Sequence, residues 1–141
     1  MTPALAVATA VTFVWLGMVL AISFLEAPLK FRAPDVTLRI GLGIGRLIFR
    51  ALNTVEAVLA VALVVAIIIG NAPARIVIAA VVVIAMLVAQ LAVVRPRLTR
   101  RSARILAGGD APRSRGHFAY VALETVKVIA LIITGVLQLA A

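Results

Sequence analysis

The sequence predicts an all-α integral membrane protein: a four-transmembrane-helix bundle of two helical hairpins in parallel repeat, with both termini outside the cytoplasm. Three observations predict it. Of 141 residues, 65% are apolar and only 13% charged. Soluble domains run closer to about half apolar and a quarter charged, so the excess must face lipid. The apolar residues fall into four continuous stretches, and the basic residues gather in two of the three connections between them.

The first stretch covers residues 3–25. It lacks a basic start and its positive charges, Lys30 and Arg32, come after it, so it reads as a span; a cleaved leader is the alternative. Glu26 closes this helix ahead of Ala27-Pro28, where the proline is expected to stop it. The second stretch covers 44–69, the third 74–94 and the fourth 118–140. Each meets the requirement of about 20 residues for a helix crossing a hydrocarbon core of about 30 Å. Val and Ile would favour strands in water, but lipid offers no partner to an open sheet edge, and continuous runs argue helix.

The connections set the orientation. Residues 26–43 carry Lys30, Arg32 and Arg39, with Arg46 and Arg50 close behind. Residues 95–117 carry Arg95, Arg97, Arg100, Arg101, Arg104, Arg113 and Arg115. The middle connection is the tight turn Gly70-Asn71-Ala72-Pro73, followed by Arg75 alone. Basic loops stay cytoplasmic, which places both termini outside a bacterial inner (plasma) membrane. In the first connection Phe31, Val36, Leu38, Ile40 and Leu42 alternate with Arg and Gly, as expected of an interfacial segment. The glycines at 41, 43 and 45 follow no strand and lack dinucleotide-loop spacing, so they read as a flexible lead-in to the second helix. In the third connection, residues 97–106 suit a short basic surface helix, and Gly108-Gly109-Asp110-Ala111-Pro112 breaks any helix.

Ala51-Leu52-Asn53-Thr54-Val55-Glu56-Ala57-Val58 in the second stretch matches Ala122-Leu123-Glu124-Thr125-Val126-Lys127-Val128-Ile129 in the fourth. Five of the eight positions are identical or swap one β-branched aliphatic for another. Pro28 and Pro96 also occupy similar places after the first and third stretches. Two hairpins in one orientation, about a pseudo-twofold along the membrane normal, explain this; chance similarity of Ala/Val/Leu-rich helices is the alternative. Under the alignment Asn53 matches Glu124 and Glu56 matches Lys127. Both members of the second pair lie near mid-bilayer, where a lone charge costs at least about 2.5–3.5 kcal/mol, so they are expected to turn inward and pair. Glu26, Asn53, Glu56, Gln90, His117, Glu124 and Lys127 together are expected to line a polar cleft open to the cytoplasm. Two readings of this intramembrane polar cluster stand: structural glue between helices, or a functional site. His117 reads first as a headgroup-level residue.

Composition also excludes chemistry. With no cysteine and a single histidine, disulfides, thiolate metal sites, c-type haem and bis-histidine haem are out. No metal, cofactor or catalytic set is expected. The net charge of +9 points to anionic lipid headgroups, contacted by Lys30, Arg32, Arg95, Arg97, Arg100, Arg101 and Arg104. Nucleic acid is not an expected partner, because no soluble fold remains to present a basic surface. The Arg-over-Lys and Ala/Val bias is that of a GC-rich bacterial genome.

Ser23-Phe24-Leu25-Glu26-Ala27-Pro28-Leu29-Lys30-Phe31, with Phe49 and Asn53 later, resembles the transmembrane-protein-205-like family of small four-helix membrane proteins. The shared motif is A-P-x-x-F, here Ala27, Pro28 and Phe31. The resemblance implies a fold over the whole chain without an assigned activity. The fourth stretch departs from the family pattern, with Glu124 and Lys127 where a histidine and small polar residues belong. The expected function is a single-domain accessory or interaction subunit of a larger membrane assembly (or homo-oligomer), or a lipid-binding protein; Gly17-x-x-x-Ala21 would allow close helix contact. The alternative is a proton- or cation-coupled transporter of a small hydrophobic or cationic compound, with Glu56 or Glu124 titrating. An enzyme acting on quinone or lipid headgroups through Glu26, His117 and Glu124 ranks third.

Overall fold

The computed structural model describes residues 1–108 and 115–141, with side chains from Phe118 onward in the second segment. All regular structure among these residues is helical: α1 (Pro3–Lys30), α2 (Leu38–Ile69), α3 (Ala74–Leu106) and α4 (Arg115–Leu139). Each is long and apolar enough to cross a membrane.

Local chemistry sets the starts and turns. Thr2 caps α1, its hydroxyl accepting from the Leu5 N–H at 3.2 Å, with Pro3 at the first helical position, where its missing N–H costs nothing. Thr37 caps α2 in the same way through the Ile40 N–H. Asn71 takes the left-handed conformation (φ 49°) that lets the chain reverse between α2 and α3 within four residues.

Three boundaries differ from the sequence expectation. α1 does not stop before Pro28, α2 begins at Leu38 rather than at residue 44, and α3 runs through Arg95-Pro96 to Leu106 instead of yielding to a separate surface helix. Hydropathy marks where a helix leaves hydrocarbon, not where its hydrogen bonds end. At about 1.5 Å per residue, the 32 residues of α2 span about 48 Å, well beyond a core of about 30 Å. The prolines are accommodated by π-helical turns at Leu20–Glu26 and Gln90–Val94. The residue before each proline bonds five residues back, Ala27 N–H to the Ile22 carbonyl and Arg95 N–H to the Gln90 carbonyl. A wider turn absorbs the ring and the missing donor that would break an α-helix. The Gly41 region is likewise helical rather than a loose lead-in: a Cβ at Gly41 would fall on the Phe31 ring, and one at Gly45 would lie 2.9 Å from Lys30 Nζ. These glycines let the end of α1 lie against the start of α2.

The helices alternate in direction and close a ring in which α1 touches α2 and α4, and α3 touches α4 and α2. The core runs through Ala8, Trp15, Val19, Leu63, Ile76, Val83, Leu87 and Leu131, all buried. Outward faces are apolar and exposed, as at Val58, Val61, Ile68, Ile78, Val88 and Val136. No surrounding water is needed to explain such a surface if lipid covers it.

Candidate functional site

Glu56 of α2 and Lys127 of α4 sit diagonally across the ring, each 0% exposed. From the ends of their helices at Ile69 and Leu139 they are 13 and 12 residues deep, or about 20 and 18 Å. Lys127 Nζ donates to Glu56 Oε1 and to Gln90 Oε1 (2.9 Å) and also pairs with Glu124 Oε1 one turn away on its own helix. The Trp15 indole N–H donates to Glu56 Oε1 at 2.9 Å. Ser23 Oγ donates to Glu124 Oε2 at 2.7 Å, and Gln90 Nε2 donates to Glu124 Oε1 at 3.3 Å. All four helices therefore contribute: Trp15 and Ser23 from α1, Glu56 from α2, Gln90 from α3, Glu124 and Lys127 from α4. Both ligands that reach Glu124 from neighbouring helices, Ser23 and Gln90, come from the π-helical turns.

The cluster is a closed core and not the open cleft the sequence suggests. Glu56, Gln90, Glu124 and Lys127 are each at most 1% exposed. Glu56 Oε2 is buried and accepts no hydrogen bond. Asn53 is half-buried one turn toward the basic end, its Oδ1 without a partner. Glu26 is separate from the cluster; its carboxylate lies 3.8 Å from Lys30 Nζ. The side chain of His117 lies outside the described residues.

At the basic end a second layer joins the helices through cations on aromatic faces. The Arg95 guanidinium lies 4.9 Å from the Phe49 ring centre and 4.7 Å from that of Tyr120, and these two rings meet edge to face. Lys30 Nζ lies 5.7 Å from the Phe49 ring centre. Lys30 and Arg95, grouped by sequence with the headgroup residues, are thus turned toward the bundle. Arg32, Arg97, Arg100 and Arg104 are exposed, while Arg101 is half-buried. On the last three turns of α3, Arg97, Arg100 and Arg104 share one exposed face, and Leu98, Ile105 and Leu106 are half-buried.

Sequence reasoning missed Trp15, Ser23 and Tyr120. A signal for the first existed: a lone Trp in mid-helix is far from the interfacial belt where Trp usually sits, and a buried indole N–H needs an acceptor. Among the described residues no three His, Cys, Asp or Glu side chains are grouped to hold a metal ion. No family model, no curated protein and no solved structure matches the chain.

Proposed function

We propose that this chain is a small inner-membrane protein that binds anionic lipid at its cytoplasmic end and serves as an accessory subunit within a larger membrane assembly. The observation that carries the reading is the exposed Arg97–Arg100–Arg104 face at the end of α3. A basic face on the final turns of a membrane span sits at headgroup depth, where each arginine contributes about 1 kcal/mol toward anionic lipid. Arg32, Arg39, Arg46 and Arg50, all exposed at the same end, extend the field. That end is cytoplasmic by the bias of basic loops. A shallow apolar groove along α3, lined by Val81, Ala85, Val88, Ala89, Ala92 and Val93, ends one turn before Arg97. The twelve helical rises from Val81 to Val93 span about 18 Å, room for one acyl chain whose headgroup meets the arginines.

The two-hairpin architecture belongs to the same reading. Burial repeats with the chain: Ala8, Thr12, Trp15 and Val19 on α1 correspond to Ile76, Ala80, Val83 and Leu87 on α3, each 68 positions later. Glu56, Ala60, Leu63 and Ile67 on α2 correspond to Lys127, Leu131, Thr134 and Gln138 on α4, each 71 positions later. Both odd-numbered helices carry a π-helical turn just before a proline. Such a repeat supports a pseudo-twofold axis passing between Glu56 and Lys127. The outer faces left by the ring are then free for lateral partners.

Native mass spectrometry of the protein released from nanodiscs tests lipid binding. Wild type is expected to retain phosphatidylglycerol or cardiolipin in preference to phosphatidylcholine, and Arg97→Gln/Arg100→Gln/Arg104→Gln is expected to lose that preference. Equal retention of charged and zwitterionic lipid by wild type refutes the reading. For the subunit role, gentle extraction followed by native gels is expected to show co-migration with a larger complex; a lone monomer at every detergent concentration rejects it.

A further inference from the structure

We propose that Glu56, Glu124 and Lys127 form a proton-binding site at the centre of the bundle, holding one proton beyond those of Lys127. The proposal stands apart from lipid binding and follows from charge counting in a closed site. Two carboxylates and one ammonium, all at most 1% exposed, carry one net negative charge when every group is ionised. An uncompensated charge at this depth is costly, and two carboxylates sharing one site resist both being ionised.

The hydrogen bonds say where the proton goes. Glu124 is a well-served carboxylate: Oε2 accepts from Ser23, and Oε1 accepts from Gln90 and faces Lys127. Glu56 Oε1 accepts from Trp15 and Lys127, whereas its Oε2 is buried with no donor. A proton on Glu56 Oε2 leaves Lys127 and Glu124 as a balanced pair and removes charge from the one oxygen that nothing stabilises. The site is too closed for a larger ligand, and the Lys127 ammonium already occupies the space between the two carboxylates; a proton needs no cavity.

The charged groups packed around the cluster among the described residues enter the count. On α1, Glu26 and Lys30 pair with each other. On α3, Arg95 lies between Phe49 and Tyr120 with no carboxylate partner among the described residues, so it is the competing source of positive charge. Asn53 Oδ1 and the Tyr120 hydroxyl are uncharged, buried and without partners, and so add nothing to the count.

Infrared spectroscopy of the whole protein in nanodiscs reads the proton directly, since a protonated carboxyl has a C=O stretch that shifts in D2O. The chain has five acidic residues in all, which makes the assignment tractable. At neutral pH wild type is expected to show one such band. Glu56→Gln and Glu124→Gln are each expected to abolish it, because either leaves a balanced pair with Lys127. Lys127→Met is expected to double it. No band in wild type, the measurement that depends on no variant folding, overturns the proposal and means that Arg95 supplies the compensation. A band that survives in Glu124→Gln overturns it too, because burial of Glu56 alone would then hold the proton.

Discussion

Replacing Lys127 with Met removes the one group that touches both carboxylates. The side chain remains long and apolar, so the packing change is small, and the effect isolates charge. Lys127 Nζ contacts Glu56 Oε1, Gln90 Oε1 and Glu124 Oε1, all within a core from which water is excluded. Removing one member of a buried ion pair costs about 3–5 kcal/mol, here because both carboxyls left behind must be held protonated at neutral pH. That is a loss of roughly two to nearly four orders of magnitude in the folding equilibrium. Unfolding by SDS titration, followed by circular dichroism, measures it. The loss is expected to shrink as pH falls, since the folded variant holds protons that the unfolded chain lacks at neutral pH, and stability rises on lowering pH wherever the folded state binds more protons. Converting both acids as well, in Glu56→Gln/Glu124→Gln/Lys127→Met, is expected to recover most of the loss, as neutral replacements of buried ion groups often do. A Lys127→Met protein within about 0.5 kcal/mol of wild type, the size of an ordinary surface substitution, would refute the reasoning.

Trp15→Phe keeps a ring in the core but deletes the N–H that Glu56 Oε1 accepts. With Glu56 protonated the bond goes to a neutral carboxyl and contributes about 0.5–1.5 kcal/mol, so a loss of that size is expected, and a smaller one in a Glu56→Leu background that lacks the acceptor; equal losses in the two backgrounds would show that the bond carries nothing. At Gly135 α4 lies against Phe13 of α1, and an added Cβ would fall 2.6 Å from that ring. Gly135→Val is expected to destabilise by about 1–3 kcal/mol through overpacking, and an unchanged SDS midpoint would place that contact elsewhere. The exposed arginines of α3 act through a screened field, so the lipid preference is expected to weaken as ionic strength rises and the Debye length falls from about 10 Å at 0.1 M toward about 3 Å at 1 M. Salt-independent retention would assign the preference to the apolar groove instead.

Much of the helix content was legible because lipid imposes it: runs such as 44–69 have no alternative way to satisfy their backbone. The ends were not, because the rule applies only within hydrocarbon. Residues 38–43 continue the second helix past its apolar run, and the basic helix expected at 97–106 is continuous with the third span through Pro96, a join that hydropathy does not show. Glu56, Lys127 and Glu124 were legible through their depth and their alignment between two related segments. Their geometry as a triad was not, since which carboxylates share the ammonium depends on the rotation of α2 and α4 about their axes. Ser23 gave no signal: a serine near a helix end ordinarily bonds its own backbone, and only the π-helical turn brings it to Glu124.

Those turns connect the prolines to the chemistry. Pro28 and Pro96 read as helix stops, yet each follows a turn in which the backbone bonds five residues back, so the helix continues at the cost of a local change in phase. A π-helical insertion re-aims the side chains within it relative to the regular helix on either side. Ser23 in the first such turn and Gln90 in the second both face Glu124, while beyond the turns Lys30 and Arg95 both lie against Phe49. One irregularity, used twice, thus serves two layers. It supplies donors to the buried carboxylates on one side of the proline, and on the other it turns inward two cations that a regular helix would leave at a different angle. The charges themselves meet between α2 and α4; the turns ahead of the prolines on α1 and α3 bring Ser23 and Gln90 to them as donors.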